Sequence, residues 1–351
     1  DTEMLLSTMY VFYAKKVYDG IDSKKVKEMG WFLPRKNLSY ENLLDSLLTD
    51  PKLLRKNEQQ LFGQYYKLRD VLKKYRQIEK NGGWNPIAID SLEKTYKPSD
   101  SSKTIGQIRQ RLAQTGDLKL DSKSNVYDEE LMAGILNYKK RNGFNTDYLI
   151  ASKHIQRMNI PIENYIKTII ANMERCRWID PELTKTDEYI IINIPSYQFF
   201  FKKNGQNKLE SKVFVGKNMN KTVVLSSNID KIVFSPYWNI PKSIIENEIK
   251  YAIERDENYL EKHNIEWYKG NLRQKPGPKN SLGLVKFIFP NSEDIYLHDT
   301  PSKDLFQYEY RAYSHGCINI EKAKELALLI LKDDPDWPVE RINEAMKGEK
   351  E

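Results

Sequence analysis

Two histidines and a cysteine toward the end of the sequence have the types and spacing needed for chemistry. His298 follows a short apolar run, and His315 lies two positions before Cys317. A cysteine nucleophile needs a nearby base, or an imidazolium that keeps it as a thiolate, to react near neutral pH. The pattern therefore predicts a thiol enzyme in which His298 serves the sulfur of Cys317.

Gly316 adds a second feature, because a glycine just before the nucleophile lets the backbone turn sharply. Successive amide N–H groups can then converge on one point, which is how main chain alone forms an oxyanion hole. Two other interpretations stay open at this point. The residues could ligate a metal, although three ligands without an obvious fourth fit poorly. They could also be a structural cluster without activity.

Short strand-like segments surround these residues and predict the sheet that positions them. Asn204-Gly205 is a strong hairpin signal. A helical pattern at 242–264 interrupts the strands and precedes a loop with Gly and Pro at 274–278, and a last helix is predicted at 321–331. The predicted strands lie at 190–194, 199–201, 212–215, 222–225, 231–234, 284–289 and 295–297.

The first half of the sequence predicts helices. Residues 1–95 are mostly helical in pattern, and a compact three-helix module follows from Thr104 to Met158. Thr104 with Gln107 predicts a capping box for the first helix of the module, and Asp128 predicts the cap of the second. A further helix at 162–178 places Cys176 on its apolar face, which predicts a small buried hydrophobe.

Composition limits the class of protein. The 351 residues predict two or three domains, and 40% hydrophobic with 30% charged residues indicates a soluble globular chain. The net charge of +7 permits a polyanionic partner, but no basic stripe with interleaved aromatic residues predicts nucleic-acid binding. No apolar run approaches the roughly 18 residues of a membrane span. The sequence begins at Asp1, so any signal peptide or anchor would lie upstream of it.

The segment that contains the two histidines and the cysteine resembles a known family. His298, fifteen intervening residues and then Ser-His-Gly-Cys-Ile-Asn at 314–319 resemble the signature of the L,D-transpeptidases, the YkuD-type family. Residues 235–241 and 274–283 resemble the segments that enter and leave the active-site lid of the large Gram-negative members. Tyr75-Arg76 and residues 82–84 resemble part of their N-terminal scaffold, and residues 104–158 are similar to a small helical peptidoglycan-binding domain.

The resemblance implies an α+β fold. It implies a β-rich catalytic domain with a helical lid insertion, an all-α scaffold and a small helical peptidoglycan-binding-like domain. For the helical domain two roles remain open, which are binding glycan and only positioning the catalytic domain. The implied boundaries are 1–98 for the scaffold, 99–159 for the peptidoglycan-binding-like domain, 160–182 for a connecting helix, and 183–351 for the catalytic domain with the lid at about 241–283.

The resemblance also implies an activity, which is 3→3 cross-linking of peptidoglycan through a thioacyl-enzyme with release of D-Ala from a tetrapeptide donor stem. The implied partners are donor and acceptor stem peptides, with carbapenems as covalent inhibitors and no metal or organic cofactor. The expected location is the periplasm or cell envelope, with a role in cell-wall biogenesis and cell shape. An L,D-carboxypeptidase, an enzyme attaching lipoproteins and a non-catalytic wall-binding protein remain as alternatives.

Site residues are carried over position by position. Cys317 is implied as the nucleophile and His298 as the general base, oriented by the backbone carbonyl of Asp299. The implied oxyanion donors are backbone N–H groups around His315, Gly316 and Cys317. For the side chain of Asp299, a plain role in the turn after the strand is also open.

The implied substrate pocket rests on five further residues. Ser314, Asn319 and Tyr296 are expected to shape it, although many large members have Arg at the position of Asn319. Arg311 either meets a substrate carboxylate or is a solvated surface arginine. Trp238 either lines the substrate groove or belongs to the core.

Overall fold

The structure, a computed structural model, describes residues 2–35, 38–52, 61–89, 94–348 and 350–351. The described residues form two compact units, one drawn from 1–26 and 33–183 and the other from 27–32 and 184–351. Helices dominate before residue 184, and strands dominate after it. The prediction of an α+β fold is confirmed.

Eight helices and three short strands are found in the described residues before 184. The paired strands β2 and β3 form a small antiparallel ribbon. The elements are α1 (Thr2–Tyr18), α2 (Ser23–Glu28), β1 (Trp31–Phe32), α3 (Tyr40–Thr49), α4 (Gln64–Lys80), β2 (Thr95–Tyr96), α5 (Lys103–Thr115), α6 (Glu129–Asn142), β3 (Ile150–Ala151), α7 (Ser152–Met158) and α8 (Ile162–Arg177).

Helices α5, α6 and α7 form the predicted three-helix module around one apolar core. The predicted capping box at Thr104 and Gln107 is wrong. Ser102 is the cap of α5, because its extended backbone lets its hydroxyl accept the amide N–H of Ile105. Asp128 caps α6 as predicted.

Two further expectations about the helical half have different outcomes. Cys176 is buried on α8, as predicted, and burial raises the pKa of its thiol to about 11. Residues 27–32, which the implied boundaries place in the scaffold, join the second unit instead. The reason is that β1 pairs in parallel with a strand of that unit at 224–225.

The second unit is built on one curled mixed sheet. Its hydrogen-bonded order is β4-β5-β6-β15-β13-β12-β8, with β14 added alongside β6. Strands β13 and β15 are parallel neighbours. The strands are β4 (Glu188–Asn193), β5 (Gln198–Lys203), β6 (Gln206–Gly216), β7 (Val224–Leu225), β8 (Lys231–Phe234), β12 (Val285–Ile288), β13 (Leu297–His298), β14 (Ala312–Ser314) and β15 (Ile318–Ile320).

Alternation along the strands gives this sheet an apolar face and a polar face. In β6, Val213 and Val215 point into the main core, so Phe214 between them points to the other face. The core includes residues of α12 (Ala323–Ile330) and α13 (Val339–Ala345). Helix α13 was not predicted.

The lid insertion differs from the single helix predicted at 242–264. Four short helical segments replace that helix, and a β-hairpin that was not predicted follows them. The insertion has its own small apolar core. Its elements are β9 (Trp238–Asn239), α9 (Lys242–Ile244), a π-helical turn (Ile245–Ile249), α10 (Lys250–Arg255), α11 (Tyr259–Lys262), β10 (Ile265–Tyr268) and β11 (Asn271–Gln274).

Across the described ranges, none of the helices is both long and apolar enough to span a membrane.

Candidate active site

Cys317 lies in the tight turn that joins β14 to β15. The turn needs glycine at 316, where φ is +120°, a conformation that side chains strongly disfavour. The Ser314 hydroxyl donates to the carbonyl of Cys317 at 2.5 Å and accepts the Gly316 amide at 3.2 Å. The Thr222 hydroxyl donates to the carbonyl of Gly316 at 2.7 Å. Ser314, expected to shape the substrate pocket, therefore holds the nucleophile turn together.

The sulfur of Cys317 is in contact with Tyr296. Tyr296 lies against this sulfur, and Trp238 lies against the hydroxyl of Tyr296. The sulfur also lies 3.8 Å from the carbonyl oxygen of Asp294. Burial and the nearby Asp294 carboxylate raise the pKa of the thiol more than the Tyr296 contacts lower it. Cys317 is therefore a neutral thiol near pH 7.

His298 is a buried neutral imidazole on β13, where only 5% of the residue is exposed. Its Nδ1 lies 2.5 Å from the carbonyl oxygen of Asp299. Because a carbonyl only accepts, Nδ1 carries the proton in the neutral ring. Burial lowers the pKa of His298 to about 4, and the charge of Lys286 adds to this although backbone hydrogen bonds at Asp299 and Leu282 oppose it. The ring can therefore act as a base across the neutral range.

Tyr296 lies between the implied base and the implied nucleophile. Its ring centroid is 5.8 Å from that of His298, and its hydroxyl contacts the sulfur. Among the described residues, His298 is not a hydrogen-bond partner of the Cys317 sulfur. A direct bond between such groups often forms only once substrate is bound.

Asp299 has two roles. Its carbonyl accepts the hydrogen bond from the ring of His298, and its carboxylate stabilises the fold. The carboxylate accepts the amide of Leu284 at 3.0 Å and binds the ammonium of Lys303 at 2.5 Å. Gly283, with φ +64°, packs so closely that a Cβ there would lie 2.4 Å from this carboxylate. The side chain of Asp299 therefore fixes the start of β12, where the chain leaves the lid insertion.

The remaining implied catalytic groups lie in the nucleophile turn. The ring of His315 binds Glu248 of the lid insertion, with 2.7 Å between Nε2 and Oε1. The Gly316 amide is occupied by Ser314, which removes it from the expected oxyanion donors. Over the described ranges, the amides of His315 and Cys317 donate to no protein acceptor, so both are free to bind an oxyanion.

Arg311 corrects both interpretations offered for it. It is only 4% exposed, so it is not a solvated surface arginine. Its guanidinium donates to the carbonyls of Val213 and Tyr197, at 3.3 and 3.1 Å, and to that of Tyr308 at 2.5 Å. With its donors directed at three backbone carbonyls, Arg311 ties chain segments together, and a role on a substrate carboxylate does not fit.

Asn319 and Trp238 complete the set. Asn319 is buried, with its Nδ2 atom 3.5 Å from Nδ1 of His298. Trp238 is half-buried on β9, at the entry to the lid insertion.

Three residues of the site, Thr222, Lys303 and Glu248, were not predicted from the sequence. Nothing in their local sequence marks them, because each acts on a residue distant in the chain.

The described ranges contain no group of three or more His, Cys, Asp or Glu side chains that could hold a metal ion.

Comparisons with known proteins match parts of the chain. Residues 187–340 match the family of L,D-transpeptidase catalytic domains, and residues 1–72 match a Scaffold domain family. A protein of Haemophilus influenzae named "Putative L,D-transpeptidase" is 35% identical over 182 residues, which cover 46% of this chain and 37% of that protein. The matched part thus spans well under half of the relative.

Two solved structures are also similar in part. One is an L,D-transpeptidase from Mycobacterium smegmatis, at 12% identity and a TM-score of 0.25 over 41% of this chain and 54% of that one. The other is an L,D-transpeptidase from Xylanimonas cellulosilytica, at 9% identity and a TM-score of 0.21 over 70% and 94%.

The family match places residues 187–340 in the class of L,D-transpeptidase catalytic domains. A Scaffold domain at 1–72 precedes it in the chain.

Proposed function

We propose that this protein cross-links peptidoglycan by a 3→3 transpeptidation through a thioacyl-enzyme on Cys317. The observation that carries the proposal is the geometry of the site, in which the Cys317 turn and the buried imidazole of His298 both lie against Tyr296. This pair lies inside the part of the chain that matches the family. The donor is a tetrapeptide stem with a diamino acid at position three and D-Ala at position four.

The first half-reaction forms the thioester. Nε2 of His298 takes the thiol proton while the sulfur of Cys317 attacks the carbonyl carbon of the third stem residue. The amides of His315 and Cys317 stabilise the oxyanion. The bond to D-Ala then breaks, and the imidazolium returns the proton to the amine of the departing D-Ala. The neutral resting state of both groups suits this route, since no thiolate has to be stored in a buried site.

The second half-reaction resolves the thioester. The side-chain amine of an acceptor stem attacks the acyl carbon, its proton passes to His298, and the sulfur leaves and regains a proton. Splitting one acyl transfer into two steps is the advantage of covalent catalysis. The lid insertion at about 241–283 excludes water, which favours the amine over hydrolysis. Its contact with the site through Glu248 and His315 supports this role.

Incubation of purified protein with disaccharide-tetrapeptide, followed by mass spectrometry, tests the proposal. Wild type is expected to give a dimer that has lost one D-Ala, and Cys317→Ala is expected to give none. Tripeptide alone would make the protein an L,D-carboxypeptidase. Unchanged substrate with no acyl adduct would overturn catalysis and favour a wall-binding protein.

Carbapenem acylation follows from the same proposal. A carbapenem offers a strained acyl group, so wild type is expected to gain the mass of one inhibitor, and Cys317→Ala is expected to gain none. The buried Cys176 serves as an internal control, because its thiol is 5% exposed and stays unmodified. Since the substrate lies outside the cytoplasmic membrane, we also propose a periplasmic or cell-envelope location, which fractionation of cells would test.

A further inference from the structure

Five aromatic rings form a continuous chain of contacts beside the nucleophile turn. Phe306 stacks on Phe214 with centroids 4.0 Å apart, and Phe214 meets Tyr313 at 5.7 Å. Tyr313 meets Tyr310 at 6.1 Å, and Tyr310 meets Tyr197 at 5.9 Å, both edge to face. We call these five residues the aromatic ladder.

Exposure differs among the members of the aromatic ladder. Phe306 and Phe214 are buried, at 1% and 3% exposed, and Tyr197 at the far end is half-buried against the main core. Tyr313 and Tyr310 are 38% and 55% exposed. The two rings that meet solvent are therefore tyrosines, which add a hydroxyl to a flat apolar ring.

The two exposed rings pack on rings that the fold holds in place, Tyr310 on Tyr197 and Tyr313 on Phe214. Arg311 stacks over the ring of Tyr197 at 5.4 Å, and its donors bind the carbonyls of Tyr197, Val213 and Tyr308. Fixed tyrosine rings provide a large contact area with little loss of side-chain entropy on binding. This assigns a purpose to a buried arginine that touches no implied substrate group.

Strand register places Phe214 of the aromatic ladder on the same face of the sheet as the base. Cross-strand partners run from Lys286 to His298, from His298 to Asn319, and from Asn319 to Phe214. Neighbouring strands are about 4.8 Å apart, so Phe214 lies about 10 Å from His298 along this row. Tyr313 directly precedes Ser314 of the nucleophile turn. A substrate held at Cys317 can thus extend onto the ladder.

We propose that the aromatic ladder is a docking face for the sugar rings of the glycan that carries the stem peptide. Pyranose rings have flat C–H faces that pack on aromatic rings, and hydroxyl edges that hydrogen-bond to tyrosine hydroxyls. We favour sugar over a protein or lipid partner because Tyr313 directly precedes the nucleophile turn, so the ladder continues the site at which the proposed substrate is held. This inference rests on the proposed function, because it takes peptidoglycan as the substrate.

Calorimetric titration separates sugar recognition from peptide recognition. The titrations use Cys317→Ala protein, so that nothing is turned over, and two ligands, disaccharide-tetrapeptide and the free tetrapeptide. Tyr310→Ala and Tyr313→Ala are each expected to weaken binding of the sugar-bearing ligand about three- to tenfold, and to leave binding of the free peptide unchanged. Tyr308→Ala is the matched control, because Tyr308 is 50% exposed yet has no ring contact within the described residues.

Each other outcome overturns the docking face. Equal weakening for both ligands would mean that the ladder serves the peptide or the fold of the turn. No weakening would mean that the sugars bind elsewhere, and wild-type self-association lost in Tyr310→Ala would assign the face to a second copy of the chain. Tyr313 packs on Phe214, so a thermal melt of the Tyr313→Ala protein checks that the variant is folded. If it is not, the result for Tyr310→Ala decides the test. Release of D-Ala from free tetrapeptide by wild type tests the proposed function separately.

Discussion

The helical module and the catalytic face both bury titratable groups, but they treat them in opposite ways. In the module, Arg109 is fully buried and binds two carboxylates and two carbonyls, through Asp128, Glu130, Ser124 and Val126. On the catalytic face, His298 is almost as buried but has no carboxylate partner, and its pKa falls to about 4. A buried charge with partners on every side supports a fold, whereas a buried group held in its neutral form is available for proton transfer.

The largest expected effect is on the reaction rate, when the buried His298 of the catalytic face is replaced. His298→Asn removes the general base and is expected to lower the rate of Cys317 acylation by a carbapenem about 10²- to 10⁴-fold. Mass spectrometry of the adduct over time measures this rate. His263→Asn, in the exposed part of the lid insertion, is the control and is expected to stay within twofold. A small loss in His298→Asn would remove His298 from the proton path.

The module gives the converse test. Arg109→Met is expected to lower the free energy of unfolding by about 3 kcal/mol, near the lower end for broken buried pairs, because Asp128 and Glu130 are partly exposed and regain water. Urea unfolding measures this, and the acylation rate in native buffer is expected to be unchanged. Arg76→Met, at a half-exposed ion pair on α4, is the control, with an expected change under about 0.5 kcal/mol.

The pH dependence of stability sharpens the comparison. Above pH 6.5, His298 is neutral in both the folded and unfolded chain and contributes nothing. As pH falls from 6.5 to about 4, the unfolded chain takes up a proton that the folded chain does not, so stability declines by about 3 kcal/mol in total. Unfolding of wild type and His298→Asn at several pH values measures the difference. An identical slope for both would show that His298 does not have a lowered pKa.

The smallest effect concerns the link between the lid insertion and the nucleophile turn. Glu248→Gln replaces the carboxylate that binds His315 at 2.7 Å on a partly exposed surface. Such pairs contribute little, so a change in KM of less than about threefold is expected, with kcat unaffected. Steady-state assays with disaccharide-tetrapeptide measure both constants. A larger fall in kcat would mean that the position of His315 limits the chemistry.

Sequence and structure agree where a signal is local. The hairpin at Asn204-Gly205, the Asp128 cap and the buried face with Cys176 all follow from a few adjacent residues. The hairpin of the lid insertion was missed because its turn is Lys269-Gly270, a weaker signal than Asn-Gly although both residues have positive φ. The role of Arg311 could not be predicted, since its three carbonyl partners come from different parts of the chain.

The same limit applies to the site. The motif identifies Cys317 and His298, because their residue types and spacing are sufficient. It does not show that Ser314 occupies the Gly316 amide or that Tyr296 contacts the sulfur. Both facts depend on how a turn and a strand meet in space, and the sequence carries no local trace of either contact.

Lys303 fixes the two ends of a chain segment in this protein, and the part of the segment between them is less constrained. Lys303 binds the Asp299 carboxylate at 2.5 Å and the carbonyl of Glu321 at 2.6 Å, so it fastens both ends of the crossover between two parallel strands. The stretch between those ends carries Tyr310 and Tyr313. Cys317 lies in the same crossover, where Thr222 and Ser314 fix its turn separately, so mutation of the outer part at Tyr310 is expected to leave His298 and Cys317 in position. In evolutionary terms, substrate preference in this lineage can diverge without loss of the reaction.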